Sequence, residues 1–200
     1  MNIIIDYGLG NLESVFQAFE NLGIETKISN DPKEISNASS LILPGVGAFR
    51  DAITALKETN LIPLIKNHIK SGKFLMGICL GMQLLYEKSY ENGEYEGLGL
   101  IEGSIEKLNT SLKIPHMGWN SLKFKKDDEI LKYINEDAYV YFVHSYYANS
   151  SNEELIAYSN YGQVVPGIVR KNNIYGIQFH PEKSSDVGLN ILKAYGEMIK

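Results

Sequence analysis

Lys73-Phe74-Leu75-Met76-Gly77-Ile78-Cys79-Leu80-Gly81-Met82-Gln83 is the stretch on which the fold turns. Lys73 to Ile78 is an apolar run of strand length, and Leu80, Leu84 and Leu85 begin a helical spacing directly after it. The chain's single cysteine stands at the switch, framed by Gly77 and Gly81. G-x-C-x-G is the thiol counterpart of the G-x-S-x-G nucleophile elbow, a sharp turn that lifts the nucleophile clear of a sheet. Glycine on both flanks lets strand and helix pass closely without a Cβ clash. The helix N-terminus behind Cys79 favours the thiolate, the form that attacks. A lone cysteine is otherwise a small buried hydrophobe. The two framing glycines favour the nucleophile.

Working outward, the preceding residues alternate strand and helix. Ile3 to Asp6 is a short strand ending in Tyr7-Gly8-Leu9-Gly10. Leu12, Val15, Phe16, Phe19 and Leu22 follow at helical spacing, and Gly23 supplies the stop. Thr26 to Ser29 is a second strand, with Asp31-Pro32 as N-cap and N1 of the next helix. Ser40 to Leu43 is a third, ending at Pro44-Gly45-Val46-Gly47, and two further helical patterns precede Lys73. Repeated β-α units imply a parallel sheet covered by helices on both faces, with ligands at the carboxyl ends of its strands. Three glycine-rich turns and Cys79 all fall there. Beyond Cys79 the character changes. Tyr139 to His144 alternates as an aromatic strand, and Val164–Val169 and Ile174–Phe179 flank Lys171-Asn172-Asn173 as a hairpin. Leu189, Leu192, Tyr195, Met198 and Ile199 outline a closing amphipathic helix. The expectation is one α/β domain over residues 1–200, a mostly parallel central sheet flanked by helices with an antiparallel extension.

Composition narrows the function classes. A hydrophobic share of 44% with 22% charged residues suits a soluble globular chain. A net charge of −5 without a Lys/Arg cluster argues against nucleic acid. The acidic Asp6 cuts short the N-terminal apolar run, and no stretch has membrane-span length, so the expected location is cytoplasmic, with no membrane partner. One cysteine permits no intramolecular disulfide, and scattered histidines give no metal-ligand spacing. No metal and no cofactor are expected. In the tempting Gly8-Leu9-Gly10 turn, Glu13 occupies the third glycine position of a dinucleotide fingerprint and opposes a pyrophosphate.

Gln178-Phe179-His180-Pro181-Glu182 offers Cys79 a base and its orienting acid. If this segment continues as a strand, His180 and Glu182 face one cleft. A cysteine nucleophile needs an imidazole within hydrogen-bond reach, and the imidazole a carboxylate to set its tautomer. The backbone N–H groups of Val46 and Gly47, with that of Leu80, are candidates for an oxyanion hole. His68, between Lys66 and Lys70, reads as solvated; His116 and His144 read as satisfied core histidines.

Gly77 to Gln83, taken with His180-Pro181-Glu182, resembles the triad-type (class I) glutamine amidotransferases. Asp6 to Asn11, Pro44 to Gly47, Pro115 to Asn120 and Tyr141 to Tyr146 narrow the similarity to the family of glutaminase subunits of imidazole glycerol phosphate synthase. The matching motifs run through nearly the whole chain. The resemblance implies a flavodoxin-like fold, Cys79 as nucleophile, His180 as general base and Glu182 as its orienter. It implies that Gln83, Glu91 and backbone groups of Ser145 and Tyr146 contact the substrate L-glutamine. Gly47 and Leu80 would lie around the oxyanion. Asn11, Trp119, Tyr141 and Lys183 would lie towards a synthase subunit.

In that chemistry the Cys79 thiolate attacks the glutamine amide, ammonia departs, and water releases glutamate from a thioester. Ammonia freed into neutral water would be protonated and lost as a nucleophile, so it must pass through protein to an acceptor. A glutaminase domain uses essentially all 200 residues, which puts the acceptor site on a second chain. By resemblance that chain is a (β/α)8 barrel, in a heterodimer that makes imidazole glycerol phosphate and an aminoimidazole carboxamide ribotide for histidine biosynthesis. The rivals are a paralogous class I glutaminase feeding another acceptor, such as a sugar, and a standalone cysteine hydrolase, redox protein or chaperone of the same fold. Glycine on both sides of Val46 also permits a peptide flip, through which a partner could switch the site on.

Overall fold

A computed structural model describes residues 1–199; Lys200, the last residue of the expected domain, lies outside them. The chain begins with β1 (Asn2–Ile5), α1 (Leu12–Asn21), β2 (Thr26–Ser29), α2 (Pro32–Asn37) and β3 (Ser40–Gly45). It continues through α3 (Phe49–Glu58), α4 (Ile62–Lys70), β4 (Phe74–Cys79) and α5 (Leu80–Leu84). Strands then dominate: β5 (Tyr86–Ser89), β6 (Tyr95–Glu96), β7 (Ile101–Lys107), β8 (His116–Ser121) and β9 (Lys123–Phe124). After them come β10 (Tyr139–His144), β11 (Tyr146–Asn149), β12 (Leu155–Asn160), β13 (Val164–Lys171), β14 (Ile174–Ile177) and α6 (Ser185–Met198).

The main sheet has the order β2-β1-β3-β4-β14-β13-β12-β9. Its first five strands run parallel and the last three antiparallel. After Asn2 and Ser40, β1 and β3 are apolar runs buried throughout because both their faces are covered. Ile3, Ile5, Leu41, Leu43 and Leu75 enter the core on the side of α2 to α5. Ile4, Ile42, Met76 and Ile78 enter the one shared with α1 and α6. Asp31 accepts from the N–H groups of Lys33 and Glu34, capping α2 as expected of an Asp-Pro start.

Two smaller sheets complete the molecule: β8 paired with β10, and β11-β7-β5-β6. Hydrophobic periodicity pointed to β10 and to the β13–β14 hairpin, but not to β7 or β12. The hairpin also turns more tightly than expected, with Lys171 inside β13 and only Asn172-Asn173 between the strands. Phe179 lies beyond the end of β14.

His68 corrects the sequence expectation. It is buried, not solvated, with Nε2 3.1 Å from the Phe74 carbonyl. Helix α4 turns this residue inward while its lysine neighbours remain at the surface, and burial lowers its pKa.

Candidate active site

The elbow is built by glycines that let backbones touch. A Cβ on Gly81 would lie 1.8 Å from the Leu43 carbonyl oxygen, and one on Gly77 would lie 2.7 Å from that of Gly81. Only glycine allows α5 to start this close to β3 and β4. Cys79 itself has φ 54° and ψ −113°, a conformation costly for any side-chain-bearing residue and typical of functional turns. It ends β4 and caps α5, so the N–H groups just beyond it start a helix and lack intrahelical partners.

His180 follows β14, the parallel neighbour of β4, so the sheet carries base and nucleophile to the same edge. The expected reason for His180 and Glu182 sharing a face does not hold. β14 ends at Ile177, and Pro181–Lys183 is a short 3-10 turn. The pair meets by the chain curling back, with His180 Nδ1 2.8 Å from Glu182 Oε1 and both side chains almost fully buried. With Nδ1 engaged, Nε2 is the ring nitrogen left for the sulfur. Burial opposes a charge on His180. Hydrogen bonding and charge from Cys79 and Glu182 outweigh that and push its pKa up to about 10. Those partners favour the imidazolium over the neutral ring.

Cys79 and His180 open on one cleft of about 310 Å³, which also takes in Val46, Gly47, Leu80, Gln83, Glu91, Ser145 and Tyr146. Every residue expected at the oxyanion or substrate is thus brought together around the sulfur. The volume lies at the small end of ligand pockets, roughly 300–1,000 Å³, and suits an amino acid. Glu91 is held by the backbone N–H of Phe49, which donates to its Oε2 at 2.6 Å across the start of α3. Gln83 Nε2 spends both hydrogens on Tyr146 O (2.9 Å) and Gln178 Oε1 (3.0 Å). Gln83 therefore offers only its Oε1 acceptor to anything else. Gly47 has φ +92°, a conformation that suits glycine, and a Cβ there would meet nothing within 4 Å.

The four residues expected towards a partner divide. Trp119 is 53% exposed beside the half-buried Tyr141, and Lys183 is exposed. Asn11 is half-buried and turns to the His180 partner instead: its Nδ2 donates to Glu182 Oε1 at 3.2 Å. Tyr141 is also tied to the segment that carries His180, its backbone pairing with His180 N–H and Ser184 Oγ. Sequence reasoning missed Tyr7 and Ser184. Tyr7 is buried with its hydroxyl on the Pro44 carbonyl at 2.8 Å, and burial followed by the charge of Cys79 raises its pKa. Ser184 Oγ donates to the His180 carbonyl at 2.6 Å. Tyr7 had no signal beyond its place in a motif and Ser184 had none, since a local spacing does not reveal a long-range hydrogen bond.

The family model described as glutamine amidotransferase class-I matches residues 3–194, and the chain belongs to that family. It is 54% identical to the imidazole glycerol phosphate synthase subunit HisH of Caldanaerobacter subterraneus subsp. tengcongensis, over 98% of each chain. It is 53% identical to the subunit of the same name from Lactococcus lactis subsp. lactis, again over 98% of each. Within the class, the chain therefore falls in the HisH subunit family. A crystal structure of a glutamine amidotransferase has the same fold, with a TM-score of 0.77 over 98% of this chain and 97% of that one at 20% identity.

Proposed function

We propose that the chain is the glutaminase subunit of imidazole glycerol phosphate synthase, with Cys79, His180 and Glu182 as its triad. The observation that carries this is one small cleft in which the elbow cysteine, a histidine with a buried carboxylate partner, and a glycine-flanked strand converge. Cys79 sulfur attacks the side-chain amide carbon of glutamine, and the oxyanion is held by N–H groups of Leu80 and the Val46–Gly47 strand. The C–N bond breaks as the His180 imidazolium gives its proton to the departing ammonia. His180, now neutral, takes a proton from water, which hydrolyses the γ-glutamyl thioester to glutamate. Gln83 Oε1 and Glu91 supply acceptors suited to the substrate's ammonium group.

Ammonia then passes to a (β/α)8-barrel synthase subunit in the cytoplasm, whose products are imidazole glycerol phosphate and aminoimidazole carboxamide ribotide. The exposed Met117, Trp119 and Tyr139 on one face of β8 and β10 support that face as the contact, since aromatics and methionine are enriched in interface cores. Among the described residues no helix is long and apolar enough to cross a membrane. A flip of the Val46–Gly47 peptide gives the partner its control, because one missing oxyanion donor costs roughly 10²–10³-fold in rate.

The test is glutamine turnover by the purified chain alone, with the barrel subunit, and with barrel and ribotide together. Turnover should rise at each step. Equal rates in all three would remove the coupling, and no glutamate release in any would remove the function. Turnover raised only by a sugar-processing partner would favour the paralogous glutaminase.

A further inference from the structure

The cleft has a third side that the chemistry above does not use. On the buried face of the antiparallel β8–β10 pair, His116 and His144 are direct cross-strand partners, with His116 Nδ1 3.0 Å from His144 Nε2. His144 Nδ1 lies 2.9 Å from the Tyr146 carbonyl, and His116 Nε2 lies 3.3 Å from Asn120 Nδ2. The direction of every bond follows from the two ends. A carbonyl only accepts, so the Tyr146 oxygen requires the hydrogen of His144 on Nδ1. A neutral His144 then has a bare Nε2, which requires the hydrogen of His116 on Nδ1 in turn. That leaves His116 Nε2 to accept from the Asn120 amide. The far end agrees independently: Asn120 Oδ1 accepts from Ser121 N–H at 2.9 Å and its Nδ2 also donates to the Asn160 carbonyl at 3.1 Å, so its NH₂ faces His116.

Nothing in this chain is slack. The His116 ring is stacked between Phe142 and Tyr161, with centroids at 4.6 and 3.9 Å. Burial keeps both imidazoles neutral, lowering His116 to about 4; His144, which also feels His116 and the charge of His180, falls to about 3. The Tyr146 carbonyl that ends the chain is the one that also accepts from Gln83.

We infer that Asn120, His116 and His144 are positioning residues, a one-way hydrogen-bond relay running from the strand that carries Trp119 to the Tyr146 carbonyl. It holds Gln83 and the Ser145–Tyr146 edge in the geometry that receives glutamine. This rests on the cleft being the glutamine site. Both lone pairs of the Tyr146 carbonyl are taken, by His144 and Gln83, so that carbonyl serves to orient Gln83 and not to touch substrate. A shift of β8 would reach the pocket through two directly bonded rings.

Two substitutions at His116 separate the relay from simple packing. His116→Phe keeps the stacking on Phe142 and Tyr161 but removes the donor. His116→Asn gives up the stacking but retains an N–H close to the place of Nδ1. Kinetics are read on the complex with the barrel subunit. His116→Phe should raise KM for glutamine roughly tenfold, the size of one hydrogen bond left unmade, with kcat changed far less. His116→Asn should recover most of that loss. The opposite order, with phenylalanine benign and asparagine harmful, would make His116 a packing residue and overturn the relay. Imidazole ¹⁵N NMR of the unmodified chain at pH 7 should show both histidines as Nδ1–H tautomers. An Nε2–H form or an imidazolium at either position would also overturn it, whether or not the variants fold. An unmodified complex that released no glutamate would instead remove the glutamine reading, a result the tautomers do not affect.

Discussion

The elbow region and the β8–β10 pair reach the same cleft by opposite means. Around Cys79 the geometry is set by backbone against backbone. Gly77 and Gly81 are bare because a Cβ at either would collide with a neighbouring peptide. The β8–β10 pair has no such contacts. Its outer face leaves Met117 62% and Tyr139 59% exposed, and its inner face is organised by side-chain hydrogen bonds and stacked rings. A nucleophile must be held in one strained conformation, which a close-packed backbone can enforce. A face proposed to meet a partner has to stay apolar and open outside while holding the pocket inside. Side-chain networks permit small shifts that backbone contact forbids.

The largest effect expected from breaking the rigid side is at Cys79. Cys79→Ala in the complex should abolish glutamate release while synthesis from supplied ammonia persists. Glutaminase activity surviving in this variant would remove the mechanism. Gly81→Ala attacks the same region through its fold. With 1.8 Å available, β3 and α5 must separate, and destabilisation by chemical denaturation should far exceed the ~1 kcal/mol of an average substitution. A variant as stable as the parent would mean that the backbone contact is not what holds the elbow.

At the junction of the two regions, His180→Ala should nearly silence turnover, whereas Glu182→Gln should leave a measurable remnant, because orientation is the smaller share of a triad's work. Equal losses would give Glu182 a larger part. The protonation of His180 sharpens the comparison further. Its pKa is raised from an ordinary 6.5 to about 10, so protonation favours the folded chain. That contribution is complete below pH 6.5 and is lost as pH rises through about 10. Cys79 is foremost among the causes that raise the value, so in Cys79→Ala the pKa should fall, as followed by imidazole NMR. A value unmoved by the substitution would leave Glu182 as the sole support.

The smallest effect on stability belongs to the open side. Trp119→Ala removes a ring that is 53% exposed and makes one edge contact with Tyr141 at 6.0 Å. Its thermal stability should change little, about 0.5 kcal/mol at most, while affinity for the barrel subunit, measured by calorimetry, falls by about 2 kcal/mol or more. Unchanged affinity would move the interface elsewhere.

These two regions were also unequally legible in the chain. The parallel half could be read because each signal is local: an apolar run, a glycine turn, a helical spacing, Asp31-Pro32 at a helix start, Gly77 and Gly81 around Cys79. Such features depend on residues within a few positions of one another, so periodicity and turn chemistry are enough. His180 and Glu182 were recognisable as a pair from their spacing, yet the curl that joins them was not, because it depends on where β14 stops. His68 went astray because lysine neighbours do not tell which way a helix faces. The links that complete the cleft, Tyr7 to Pro44, Asn11 to Glu182, Glu91 to the N–H of Phe49 and His116 to His144, span separations of 28 to 171 residues. Sequence by itself determined the elbow, the residue types proposed for the triad and the layered α/β architecture. Only the tertiary structure decided the upward shift of His180, the partners of His116 and His144 and the presentation of Gln83, since each is set by burial and by partners that folding alone brings within 3.3 Å.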